Sequence, residues 1–156
     1  MGRGSRGGKR AKSNNNGWEK SIPDTKDFML IDSFPELTGT PKQIKWAKDL
    51  REKIGEELLL HAVRGSLTSL EDAQKGRAHI VEKIKKSTKE TLELIPGRDE
   101  GKTRNEYIKH YQDYAERIKR LNEIFNKKDA KFWINNRTNQ LENFRNEKLK
   151  KYIDGD

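Results

Sequence analysis

Thr40-Pro41-Lys42-Gln43-Ile44-Lys45-Trp46-Ala47-Lys48-Asp49-Leu50-Arg51 reads as the opening turns of an α-helix, and that helix decides the fold class. Thr40 is a capping residue. Pro41 suits the first helical position, where a backbone N–H would have no intrahelical partner, and Gln43 completes a Thr-x-x-Gln capping box. At the helical repeat Ile44, Ala47, Leu50, Ile54, Leu58 and Ala62 share one face, and Lys42, Lys45, Asp49, Glu52, Lys53 and Glu56 share the opposite one. Gly65, after Val63 and Arg64, is a stop signal.

The same grammar repeats downstream. Thr68-x-x-Glu71 is a second box, followed by an apolar stripe of Leu70, Ala73, Val81, Ile84, Leu92 and Ile95. Gly76 either divides that stretch or sits inside it at about 1 kcal/mol relative to Ala. Pro96-Gly97 ends it, and 98–102 reads as a polar loop. Thr103-x-x-Glu106 is a third box, ahead of Tyr107, Tyr111, Tyr114, Ile118, Leu121 and Phe125. That stripe is either a coiled-coil seam or a core face, and its short, aromatic character favours the core. Asp129 can cap a helix over 130–137, and Asn139 with Glu142 a further one carrying Leu141, Phe144, Leu149 and Tyr152. No Gly or Pro separates Lys102 from Asp154, so these last two read equally well as one helix.

Upstream, 21–39 is irregular. Phe28-Met29-Leu30-Ile31, then Phe34 and Leu37, is either a short strand or an extended segment laid over the helices, and the second reading is preferred. Residues 1–20 carry Arg3, Arg6, Lys9, Arg10, Lys12 and Lys20 against the single acid Glu19, with Trp18 the only large apolar side chain. A segment so poor in apolar surface cannot recover its ordering entropy by burial and reads as a disordered arm. The expected architecture is all-α: a compact bundle of about four or five helices over 40–156, with 21–39 packed on it and 1–20 free of it.

Composition narrows the function classes. The chain has 156 residues and a net charge of +9. Leu, Ile, Val and Phe make up about 21% of it, enough for a thin core. Without cysteine there are no disulfides, Cys-based zinc sites or thiol catalysis, which suits an intracellular protein. No apolar run approaches the roughly 18 residues of a membrane span, and no secretory signal is legible. His61, His79 and His110 lack metal-ligand spacing. Gly101-Lys102-Thr103 resembles the end of a P-loop, but the upstream glycine is out of register. No cofactor, metal, small-molecule or catalytic signature stands out, so the chain reads as a binding protein and not an enzyme.

A positive chain attracts polyanions. The guanidinium groups of Arg3, Arg6 and Arg10, on a glycine-rich backbone with Lys9 and Lys12, can pair with phosphate and stack on bases. The arm is either such a contact or a solubilising tail. Lys42, Lys45 and Lys53 would extend the patch onto the first helix. Arg51 stands on that helix's apolar face, where it either snorkels, pairs with a carboxylate or meets a partner. Trp46, at the edge of the same face, either packs beneath 28–37 or stands exposed as an anchor, and burial is preferred. Trp133 and Arg137, one helical turn apart, either place a guanidinium within reach of an indole or belong to a capping helix that closes the core, and the second reading is preferred.

Leu37-Thr38-Gly39-Thr40-Pro41-Lys42-Gln43-Ile44-Lys45-Trp46-Ala47 with Leu50-Arg51, and Ala130-Lys131-Phe132-Trp133-Ile134 with Asn136-Arg137, resemble a group of small proteins from phages and other mobile elements of Gram-positive bacteria. These pair an L-x-G-T/S-x-K-Q-I-x-W-A-x-x-I/L-R segment with a distal A-x-x-W-I-x-x-R. The resemblance covers about 25 residues and implies a setting, not a chemistry. It also implies that Trp46, Arg51, Trp133 and Arg137 belong together, as one cluster with each guanidinium over an indole or against an acid. The leading expectation is nucleic-acid binding in the cytoplasm of a bacterial host. The alternative is an inhibitor or adaptor that acts on a host-defence nuclease such as a CRISPR effector.

Overall fold

Thr40 accepts a hydrogen bond from Gln43 N at 3.2 Å, and Gln43 Oε1 accepts one from Thr40 N at 3.0 Å, so the first helix begins where its capping box is written. The computed structural model describes residues 17–137 and 146–156, the side chains of Thr68 and Ser69 excepted. Among the described residues there are six α-helices and no strand: α1 Pro41–Ala62, α2 Leu67–Gln74, α3 Arg77–Leu94, α4 Glu100–Phe125, α5 Ala130–Asn135 and α6 Glu147–Asp154. The architecture is all-α.

Glycine sets two of the breaks. Gly65 closes α1 at φ 78° and donates to Leu60 O, and Gly76 separates α2 from α3 at φ 117°. The expected second helix is therefore two. Thr68 lies inside α2, so its box is not a cap. The third box is displaced as well. Asp99 caps α4 by accepting from Lys102 N at 2.8 Å, four residues ahead of Thr103. Thr103 is buried, and its hydroxyl donates to Asp99 O at 2.8 Å. Asp99 caps as well as threonine does, and its use lets Thr103 turn inward. Residues 100–102 are thus helical, not loop. Asp129 caps α5 as expected, accepting from Lys131 N. Asn136 closes α5, and left-handed Asn146 precedes α6, so the two are separate helices. The cap proposed at Asn139 and Glu142, with Leu141 and Phe144, lies outside the described residues.

α4 is the central rod. Its Tyr114, Ile118, Leu121, Ile124 and Phe125 are buried, with Tyr107 and Tyr111 half-buried. α1 runs antiparallel to its C-terminal half: Gly55 lies so close to Phe125 that a Cβ there would meet the ring at 3.4 Å, and Arg117 Nε donates to Ala62 O at 2.9 Å. α3 packs on the N-terminal half, where Thr91 and Tyr107 hydroxyls meet at 2.7 Å. α6 closes the α1–α4 angle with buried Leu149 and Ile153, and with ion pairs Lys150–Glu57 and Asp154–Arg64 at 3.0 Å each.

Residues 17–38 form a strap that follows α4 from one end to the other. Arg104 covers the Trp18 ring at 5.5 Å, and Gln112 donates to Ser21 O. Phe28 lies against Tyr111 and Tyr114, Asn122 bonds both Met29 O and Ile31 N, and Phe34 stands edge-on to Phe125 at 5.1 Å. Thr38 then pairs with the backbone of Lys128 and Ala130. No strand forms over 28–31, because a short 3-10 turn at Thr25–Phe28 aims Phe28 into the core. The arm boundary expected at residue 20 also moves. Residues 17–21 make a 3-10 turn, since Trp18 supplies the apolar surface that the rest of the arm lacks.

Candidate nucleic-acid interface

The segments 37–51 and 130–137 lie nearly a hundred residues apart in sequence and pack side by side. Thr38 N donates to Lys128 O at 2.7 Å, and Ala130 N donates to Thr38 O at 2.9 Å. At the next residue Gly39 adopts φ 144°, and a Cβ there would sit 3.0 Å from Gln43 Oε1 and 3.3 Å from the Ala130 methyl. From this close approach α1 and α5 run parallel. Seven residues further along each chain, the Arg137 guanidinium stands over the Trp46 ring at 5.1 Å. The pairs Thr38/Asp129, Gly39/Ala130 and Trp46/Arg137 keep one sequence offset, so the two helices advance together.

Trp46 is 47% exposed. The expectation that it is buried beneath 28–37 is corrected: the strap follows α4, and the neighbour of Trp46 is Arg137. The alternative pairing of Trp133 with Arg137 is corrected with it. Trp133 is fully buried, edge-on to Phe132 at 5.1 Å, and its indole N–H donates to Lys127 O at 3.1 Å. Arg137 Nη1 instead donates to Ile134 O at 2.6 Å, in its own turn, which holds the exposed guanidinium over the other tryptophan.

Arg51 leaves the expected cluster altogether. It is buried, meets Phe34 at 4.5 Å rather than an indole, and donates to Pro35 O at 2.8 Å rather than to an acid. Burial lowers its pKa, with Glu52 opposing. Its Nε has no hydrogen-bond partner among the described residues. It ties the strap to α1. Of the four residues proposed to act together, Trp46 and Arg137 form the cation–π pair.

Charge is distributed unevenly along α1. Lys42, Lys45 and Lys48 are exposed around Trp46, and no acid occurs from Thr40 to Lys48. Lys53 is exposed too, but Asp49, Glu52, Glu56 and Glu57 lie within a turn of it. It stands about 16 Å from Lys42 along the axis and does not extend the patch. Arg3, Arg6, Lys9, Arg10 and Lys12 lie outside the described residues. Their chain joins the structure at Gly17, beside Trp18 and Arg104. Traced along α4 from Arg104 to Phe125 and then along α1 from Gly55 to Trp46, the path from that junction to Trp46 is about 45 Å. The arm's root is therefore attached at the far end of α4 from the α1 lysines.

No protein family, curated protein or solved structure matches the chain. The other polar clusters sit at helix junctions. Asp72, between α2 and α3, accepts from Lys83 at 2.6 Å and meets His79 at 3.2 Å, and these bonds hold its carboxyl down at about 2. Asp154 meets His61 and Arg64 at 3.0 Å each. Burial pushes it up, but those two hydrogen bonds outweigh burial and leave its pKa low. Burial, and Arg117 after it, lowers the His110 pKa. A groove of ≈ 690 Å³ between the strap and α4 is lined by Lys26, Asp27, Asp113, Glu116 and Lys119, charges of both signs. Among the described residues no three His, Cys, Asp or Glu converge as metal ligands, and no helix is long and apolar enough to cross a membrane. Helical spacing flagged Trp46 and Arg137 separately, and the resemblance grouped them with Arg51 and Trp133. Which guanidinium meets which indole had no local signal, because it depends on the α1–α5 register.

Proposed function

We propose that the chain is a non-enzymatic nucleic-acid-binding protein whose contact face is the first half of α1 with the end of α5. One observation carries this reading. The Trp46 side chain is about half in solvent, covered by the Arg137 guanidinium, and neighboured by Lys42, Lys45 and Lys48 against the single acid Asp49. Lysines supply phosphate attraction, and the planar groups supply contact that does not depend on charge alone. The arm residues Arg3, Arg6, Lys9, Arg10 and Lys12 add phosphate contacts from the far end. The resemblance of the 37–51 and 130–137 segments favours a phage or mobile-element accessory role in a bacterial cytoplasm.

The test is binding of the full chain to labelled nucleic acid at two salt concentrations. It is compared with the Lys42→Gln/Lys45→Gln double variant and with a chain beginning at Gly17. Cutting there keeps Trp18, which a cut at residue 21 would remove. Losing two phosphate contacts should lower the log–log salt slope by about 1.4 to 1.8. No binding by the full chain at low salt defeats the reading.

A second reading has its own observation. Leu94 is 82% exposed and Ile95 50%, next to Pro96, at the turn between α3 and α4. An apolar tip of this kind suits docking to a protein, such as a host-defence nuclease, and predicts binding that survives salt.

A further inference from the structure

We infer that the Trp46–Arg137 pair is a stacking platform for an unpaired base, so that this face takes single-stranded nucleic acid in preference to duplex. The inference rests on the nucleic-acid reading and specifies its ligand. Arg137 is exposed, and the bond from its Nη1 to Ile134 O keeps the guanidinium over the indole at 5.1 Å instead of sweeping through solvent. The pair thus presents a held guanidinium over an indole side chain that is about half open to water. Lys42 lies one helical turn before Trp46 on the same face, and Lys45 is its sequence neighbour. Both stand on the N-terminal side of the pair, where the phosphates of a strand with one base on the platform can reach them.

A duplex cannot use this arrangement. Its bases present edges in the grooves, and neighbouring bases cover their faces. In a single strand every base has a free π-face, and stacking on aromatic or guanidinium planes tolerates any sequence. The expected ligand is therefore a single strand of RNA or DNA read without base preference. Charge complementarity selects a polyanion over an apolar protein surface: Lys42, Lys45 and Lys48 outnumber Asp49, the acid one turn beyond Trp46, whereas Glu93, Asp99 and Glu100 outnumber Arg98 beside the apolar tip at Leu94.

Full-length protein is titrated with an unstructured labelled oligonucleotide and with a duplex of equal length, following anisotropy and tryptophan emission. Single strand is expected to bind more tightly and to change tryptophan emission. Trp46→Ala should weaken single-strand binding roughly ten- to a hundredfold and leave duplex binding nearly unchanged. Trp46→Phe should retain most of the affinity. Arg137→Lys, which keeps the charge but loses the plane, should lose several-fold on single strand only. Trp46 is half-exposed, so circular dichroism should show Trp46→Ala folded. If Trp46→Ala binds single strand like the wild type while Lys42→Gln/Lys45→Gln weakens both ligands, the platform is refuted and the broader reading stands. If the wild-type chain binds neither ligand, the broader reading fails too.

Discussion

Gly39→Ala tests whether the α1–α5 junction has the tight geometry described. Gly39 adopts φ 144°, which L side chains rarely adopt, and holding a non-glycine residue in such a region costs about 1–3 kcal/mol. The added methyl would lie 3.0 Å from Gln43 Oε1 and 3.3 Å from the Ala130 Cβ. Gln43 can swing aside, but it then gives up the bond from Thr40 N, half of the α1 capping box, for about 1 kcal/mol. Ala130 is fully buried and carries only a methyl, so it can yield only by moving α5. The expected loss is about 2–4 kcal/mol, read from urea denaturation followed by circular dichroism. In a domain of this size each kcal/mol is roughly 2–4 °C in Tm. Gly65→Ala is the control: φ there is 78°, nothing lies within 4 Å of its added Cβ, and about 1 kcal/mol is expected. The reasoning is refuted if Gly39→Ala costs no more than Gly65→Ala. At temperatures where Gly39→Ala remains folded it should also weaken nucleic-acid binding, because the junction sets the register that brings Arg137 to Trp46.

Arg51→Met removes a buried charge that makes no salt bridge among the described residues, with Glu52 acting on it only through space, and retains the packing of a long side chain. The lost bond to Pro35 O and the contact with Phe34 oppose the relief of desolvation, so stability should stay within about 1 kcal/mol of wild type. A loss above 2 kcal/mol in denaturant would mean that the guanidinium is net stabilising. Tyr114→Phe deletes a buried hydroxyl without a partner among the described residues and should be neutral or stabilise by up to about 1 kcal/mol. In wild-type protein burial pushes that phenol up to about 12, so an ultraviolet titration should show it ionising late. Asp72, held near 2 by Lys83 and His79 against an ordinary 3.8, stabilises the fold above about pH 4 and loses that contribution as pH falls toward 2. Asp72→Asn should therefore cost about 1 kcal/mol at pH 7, after screening at the exposed Lys83, and nothing near pH 2. An equal cost at both pH values would disprove the ionic assignment.

The parts of the fold legible in the sequence are those decided within one or two turns of chain. The Thr40–Gln43 box, the stops at Gly65, Gly76 and Pro96-Gly97, and the stripe from Tyr107 to Phe125 each carry their own cause. Competition between equivalent local signals was not legible. Asp99 and Thr103 are both good caps one turn apart, and the buried position of Thr103 on α4 chose between them. Long-range register was not legible either. That the strap runs from Arg104 to Lys128 is fixed by Trp18, Phe28 and Phe34 each finding a place along α4, and nothing in residues 17–38 alone orders those contacts. The same holds for the site. The helical wheel places Trp46 at the border of the apolar face, and only the lie of α5 decides which side of that border is covered.

The three tryptophans show why the exposed one points to a ligand. Trp133 is fully buried in the core, and Trp18 is pinned to α4. Trp46 leaves 47% of its surface in water, on the order of 100 Å², and so forgoes about 2–3 kcal/mol of burial. A cation–π contact at an exposed site returns only about 0.5–1 kcal/mol, so the Arg137 stack does not offset that loss. The covered half of Trp46 contributes a similar amount to the fold, and the half left in water serves no packing role. Exposed Leu94 presents the same puzzle, but its surroundings carry acids of the α3–α4 turn that would repel a polyanion. The combination of a large forgone burial, a held planar cation and a neighbourhood of three lysines to one acid occurs at Trp46, and it fits a partner that brings phosphates and an open base face together.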